Sequence, residues 1–260
     1  MRTARYLIAV VRGLALTLGA VPAQAETTAC TPITAVPTTI TVQGIYCLTQ
    51  HLNTDITTGN AIEIQTNNVI LDLNSFKLGG LAAGPGTGAV GIRAIDRQNI
   101  TIKNGIVRGF FRGILLDDSG GGASQGHVVE DIRADQNTFI GIQVNGRGSL
   151  IRNNQVVATG GTTFFAGNAD ATGIAVDRTG PRVLNNTVID TQKQGTGTAR
   201  GISFSSNVSG GLAVNNRITN ADVGINYSGG SAAGKYRDNL TTGVTTATRF
   251  VGGTAVGIND

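Results

Sequence analysis

Apolar residues in this 260-residue chain recur at every second position in short runs. The stretch "AIEIQTNNVILDL", Ala61 to Leu73, alternates cleanly on both sides of an asparagine pair. Valine, isoleucine and threonine are abundant, and 38 glycines punctuate the runs. A spacing of two with this composition predicts β-strands rather than helices.

The runs belong to a repeat. Gly-Ile, one further residue and usually an apolar one occur at "GIRA" (Gly91), "GILL" (Gly113), "GIQV" (Gly141), "GIAV" (Gly173), "GISF" (Gly201) and "GINY" (Gly224), at intervals of 22, 28, 32, 28 and 23 residues. Between them lie "IRNNQVV", "VLNNTVI" and "AVNNRIT", and after the last, more loosely, "YRDNLTT". Self-similarity at this period predicts a solenoid whose units bury their apolar faces only by stacking. In a parallel solenoid the chain turns sharply between strands without a hairpin. Asparagine tolerates the left-handed backbone such turns need, and its amide both donates and accepts. Asn154, Asn186, Asn216 and Asn239 are expected to stack as one hydrogen-bonded ladder, with Ile92, Ile114, Ile142, Ile174, Ile202 and Ile225 forming one inward row.

Gly-Ile-x-apolar followed by Asn-Asn-x-apolar resembles the right-handed parallel β-helix repeats of the pectate-lyase-like superfamily, over roughly residues 61–244. "TITVQGIYCLT" also looks like the entry segment of secreted bacterial β-helix proteins. The expected fold is all-β: a single-stranded right-handed parallel β-helix of about eight coils with a disulfide-tied N-terminal cap. The expected division is a secretory signal peptide over 1–25, a cap segment over 26–60 and the β-helix over 61–260. The resemblance implies action on a polysaccharide without naming a reaction, since the superfamily holds lyases, hydrolases, epimerases and non-catalytic surface proteins.

The signal is read from Arg2, Arg5 and Arg12, the short apolar run "GLALTLGAV" and the small-x-small "AQA" ending at Ala25. It changes the charge picture. The chain has 20 Lys+Arg and 16 Asp+Glu, and the signal holds three arginines and no acid, leaving 17 against 16, a net of +1. That balance does not favour a nucleic acid partner. No later run approaches a membrane span, and a periplasmic or extracellular location follows. Cys30 and Cys47, the only cysteines, most simply pair in an exported chain.

Loops 79–89, 160–171 and 191–199 each precede a Gly-Ile strand and should leave one corner of the rod; loop 117–126 follows such a strand and should leave another. Loops on a rigid scaffold are where sites usually lie. One outward row runs Arg93, Leu115, Gln143, Ala175, Ser203, Asn226. A second runs Ile95, Asp117, Asn145, Asp177, Ser205, Ser228. Asp117 and Asp177, two coils apart, should have backbones about 9.6 Å apart, a separation that suits an inverting glycosidase. The richest cluster holds Asp117, Asp118 and His127, the last a candidate general base, with Arg112 as a substrate-binding group. Polygalacturonase-like sites carry Asp-Asp and Gly-His-Gly; Asp117-Asp118 and Gly126-His127 match these in part, but Val128 replaces the second glycine, and neither the Arg-x-Lys of that family nor the Asp-Pro-His of alginate epimerases occurs. No cofactor is expected; calcium near Asp117 lacks a recognisable ligand set. Phe110, Phe111, Phe139, Phe164 and Phe165 gather at one corner, where they either fill the solenoid or stack on sugar rings. The sequence leaves two functions open: an enzyme acting on a polysaccharide, and a non-catalytic glycan-binding or surface protein.

Overall fold

The structure, a computed structural model, describes residues 29–260. The expected signal peptide lies outside the described residues. Every strand pairing between neighbouring coils is parallel, and the chain winds as a right-handed β-helix, the hand that parallel crossovers favour. One wall is a nine-stranded sheet; a sixteen-stranded sheet forms two further columns of strands, joined where Ile100–Arg108 and Val128–Asp135 each pair with strands of both. In the nine-stranded wall, Ile62, Ile92, Ile114, Ile142, Ile174, Ile202 and Ile225 stand in register and are all fully buried. Each such side chain contributes about 1.5–3 kcal/mol of transfer free energy.

The recurring glycine has a steric cause. A Cβ on Gly91, Gly113, Gly141, Gly173, Gly201 or Gly224 would lie 2.4–2.8 Å from a backbone carbonyl oxygen of the next coil. At Gly91 it would also meet Val107 and Phe110 of the core. Glycine and isoleucine thus both face inward across a bend. The break in alternation leaves the preceding residue, such as Arg112 or Arg200, outside.

The asparagine pairs divide their labour. Asn153, Asn185, Asn215 and, in the looser unit, Asp238 take the left-handed conformation, at φ of 57, 57, 52 and 56°. The second of each pair forms the ladder. The Asn154 Nδ2 donates to Asn186 Oδ1 at 3.0 Å, Asn186 to Asn216 at 3.0 Å, and Asn216 to Asn239 at 3.0 Å. Asn239 continues to Asn259 at 3.1 Å. Each ladder amide from Asn154 to Asn239 also donates to an inner-strand carbonyl, of Val129, Ile151, Val183 and Ala213 in turn. These four residues are at most 2% exposed. The ladder stops at Ile132, whose N–H is accepted by Asn154 Oδ1.

The solenoid begins earlier than the repeat predicts. Thr38–Ile40 pairs in register with Asn60–Ile64, and Gly44–Leu48 with Val69–Asp72, so the expected cap segment already carries a coil. The Cys30–Cys47 disulfide, with Cα atoms 5.7 Å apart, fastens Thr31–Ile33 to its neighbour Gly44–Leu48. At the other end, Phe204, Tyr227, Tyr236 and Phe250 stack in sequence.

Candidate functional site

Loops 79–89, 160–171 and 191–199 do share a corner, and they bond to one another. The Thr163 N–H donates to Pro85 O at 3.0 Å. Ala169 and Gln194 exchange backbone hydrogen bonds at 2.9 and 3.1 Å, and the Thr196 N–H reaches Asn168 Oδ1. The 79–89 and 160–171 loops thereby meet across the two intervening coils.

Beneath that bridge lies an aromatic cluster. Phe110 turns inward and is 1% exposed. Phe111 stacks on Phe139 of the next coil with ring centroids 4.7 Å apart. Phe164 and Phe165 close over this pair at 5.0, 5.6 and 5.5 Å. Gly88 leaves room for the Phe164 ring, which a Cβ there would meet at 2.6 Å. Phe164 is 51% and Phe165 39% exposed. The guanidinium of Arg112 lies over Phe111 and Phe139, 4.9 and 5.3 Å from their centroids. Burial pulls its pKa below the ordinary value, with the Asp117 carboxylate opposing. Phe110 therefore fills the solenoid and four rings stack outside it, with Phe111 covered at 4% exposed, Phe139 half-buried and Phe164 and Phe165 open to solvent.

The acidic row is knitted into the scaffold. Asp117 Oδ1 accepts from Asn145 Nδ2 at 2.6 Å and from the Asp118 N–H at 2.9 Å. Asp177 Oδ1 accepts from the Arg178 N–H at 2.7 Å and from the Ser205 hydroxyl, and its Oδ2 from Asn207. Asp118 has a fully buried side chain. Its Oδ1 accepts from the N–H groups of Gly120 and Gly122 and pairs with Arg178 at 3.3 Å. Burial pushes the Asp118 carboxyl up, but the two glycine N–H groups and Arg178 outweigh it and hold the pKa below the usual range. Asp118 thus shapes loop 117–126. Sequence reasoning passed over Arg178, which at φ 76° also approaches Asp177 at 3.9 Å; a charged residue directly after Asp177 was the available signal.

His127 is not an exterior base. It is 1% exposed, on the inner side of the wall between Ile100 and Ser149. Its Nδ1 accepts from the Ile100 N–H at 3.3 Å, which assigns the proton to Nε2, 2.8 Å from Ser124 Oγ. Burial pulls its pKa down to about 4. It stays neutral and joins three coils.

Arg112, Phe164 and Phe165 thus come together with Phe111 and Phe139; Asp118 and Asp177 meet through Arg178; His127 stands apart. Among the described residues, no three histidine, cysteine or carboxylate side chains gather as a metal set.

No protein-family model and no curated protein matches the sequence. Among solved structures, the chain is similar to the crystal structure of the Dettilon tailspike protein, with a TM-score of 0.50 and 11% identity, covering 86% of this chain and 60% of that one. The chain spans less than two thirds of that protein's length, and the likeness shows a shared fold.

Proposed function

We propose that the protein is an exported β-helix protein that binds a polysaccharide on the shelf formed by Phe111, Phe139, Phe164, Phe165 and Arg112. The observation that carries this reading is the half-open pair Phe164 and Phe165, held at the rim by a bridge between loops of non-adjacent coils. Exposed rings with a cation at their edge suit the apolar face and polar rim of a sugar. The disulfide supports an oxidising, extracytoplasmic location.

A catalytic version of the same reading uses Asp117 and Asp177, whose register places them two coils apart on the outward row. Asp118 and His127 support it less, since one is a loop cap and the other lies in the core.

The test is a panel of acidic and neutral polysaccharides, read for binding, new reducing ends and unsaturated products. Saturable binding should fall about ten-fold in Phe165→Ala, the loss of one aromatic contact of ~1.4 kcal/mol. Binding untouched by replacing both Phe164 and Phe165 with alanine would sink the shelf. Turnover lost in Asp117→Ala would establish the catalytic version.

A further inference from the structure

We propose that the outer face of the strand column fastened by the disulfide docks a second copy of this chain, the two rods antiparallel about a two-fold axis lying between Lys103 and Glu130.

The column comprises Gly44–Leu48, Val69–Asp72, Ile100–Arg108, Val128–Asp135, Leu150–Arg152 and Arg182–Leu184, paired in register coil by coil. Leu71, Ile102, Val129, Ile151 and Val183 point inward and are fully buried, so the residues on either side of them face out. One outward row runs Ile45, Ile70, Thr101, Val128, Leu150, Arg182. The other runs Cys47, Asp72, Lys103, Glu130, Arg152, Leu184. The nine-stranded wall turns polar side chains such as Arg93, Gln143, Ser203 and Asn226 outward. Here Ile45, Ile70, Val128 and Leu150 face out and are only half-buried. Beside Ile45, Ile70 and the disulfide opens a cleft of about 580 Å³, also lined by Asp72, Asn74 and Lys103.

An apolar row alone does not name its occupant; the charges beside it do. From Cys47 to Leu184 the second row reads apolar, negative, positive, negative, positive, apolar. Turned end for end, it is its own complement. An antiparallel copy therefore sets Asp72 of each chain against Arg152 of the other, Lys103 against Glu130, and Leu184 against the disulfide cleft, each contact made twice. The first row then sets Ile70 against Leu150 and Thr101 against Val128, with the aliphatic stem of Arg182 along Ile45. A parallel copy at the same level would set like charge against like, a costly arrangement. Within one chain Lys103 meets Asp72 at 3.5 Å and Arg152 meets Glu130 at 2.6 Å, so docking joins two ion pairs from each copy into one alternating network. Exposed asparagines bonded along the stack, Asn68 to Asn99 and Asn153 to Asn185, supply the polar rim of such an interface. Six coils span about 24 Å. A contact two rows wide over that length belongs to the small class, below about 1,200 Å², so the dimer should form at micromolar and higher concentrations.

Sedimentation equilibrium of the intact mature protein, from low micromolar to submillimolar concentration at physiological ionic strength, should show a shift from one chain mass to two. Glu130→Lys and Lys103→Glu should each weaken self-association at least ten-fold, since either sets like charges together twice across the axis. Mixed in equal amounts, these two variants should recover a one-to-one dimer, because every facing pair is then opposite again. Leu184→Asp should weaken association to a similar extent and, at an outward position, leave the thermal midpoint close to that of the wild type. Should either charge variant fail to melt like the wild type, Leu184→Asp decides. A monomer at the highest concentration leaves the face to another partner and overturns the proposal, as does an assembly of three or more chains. A dimer indifferent to Glu130→Lys and Leu184→Asp overturns the face. Folded charge variants that do not pair when mixed overturn the antiparallel order.

Discussion

Asn185 and Asn186 are adjacent and identical, yet they do different work. Asn186 is fully buried, its amide donating to Asn216, Ile151 and Leu184 and its oxygen accepting from Asn154. Replacing it with alanine should cost about 1–3 kcal/mol by stranding buried partners, and combination with Asn216→Ala should be non-additive. Asn185→Ala should cost about 1–2 kcal/mol, chiefly through the left-handed conformation, since its amide bonds to Asn153 and Asn215 are solvent-exposed, and Asn185→Gly should restore most of that loss; denaturant midpoints of the set separate the two causes. His127 makes a second prediction. Its pKa is lowered in the fold to about 4 and stands near 6.5 when unfolded. The unfolded chain binds the proton first as pH falls, so stability is full above about 6.5 and declines toward 4 by about 3 kcal/mol. Melts at pH 7 and pH 4.5 should show this slope, and His127→Gln should abolish it. The depressed carboxyl of Asp118 loses its contribution only at lower pH, below the ordinary aspartate range near 3.9. The ladder residues were legible because stacked repeats superpose by counting. His127 was not, because a lone histidine after a glycine-rich loop reads as solvated, and only the strand register places it opposite Ile100.

At the scale of strands and loops, the Gly-Ile motif was legible as a period but not as a bend. Strict alternation turns glycine outward and obscures why it recurs. Gly173→Ala would push a methyl to 2.4 Å from Val188 and 2.7 Å from the Gly201 carbonyl. It should cost about 1–3 kcal/mol by overpacking, readable as a lowered denaturant midpoint with an unchanged slope. Gly88→Ala is its counterpart in a loop. The methyl would displace the Phe164 ring, so glycan binding should drop while the melting midpoint stays within about 0.5 kcal/mol of wild type. The common corner of the three loops could be counted from their positions before each Gly-Ile strand. The gathering of five phenylalanines at that corner could be counted in the same way. Which of them fill the solenoid and which lie outside could not, because that depends on contacts such as Thr163 to Pro85 that carry no sequence period.

For the whole molecule, the parallel β-helix was legible from residues such as Ile92 and Asn154 because every coil repeats the same requirement. The N-terminal coil was missed because Thr38–Ile40, its strand in the nine-stranded sheet, carries no Gly-Ile, and the Gly44-Ile45 of Gly44–Leu48 lies in the other sheet, out of phase with the repeat. The Cys30–Cys47 bond spans 17 residues and should contribute about 3 kcal/mol on the chain-entropy view; reductant should lower the unfolding midpoint and free two thiols. A stack of coils ordinarily behaves as a chain of nearest neighbours that peels from its ends. The bond from Thr163 to Pro85 breaks that locality, since it girdles the coils of Ile92, Ile114, Ile142 and Ile174 from outside. Those coils should open together as one cooperative block. Amide exchange at these four isoleucines should then share a single opening free energy, while Ile40 and Ile225 exchange through shallower, separate openings, so that the rod frays toward a fixed middle.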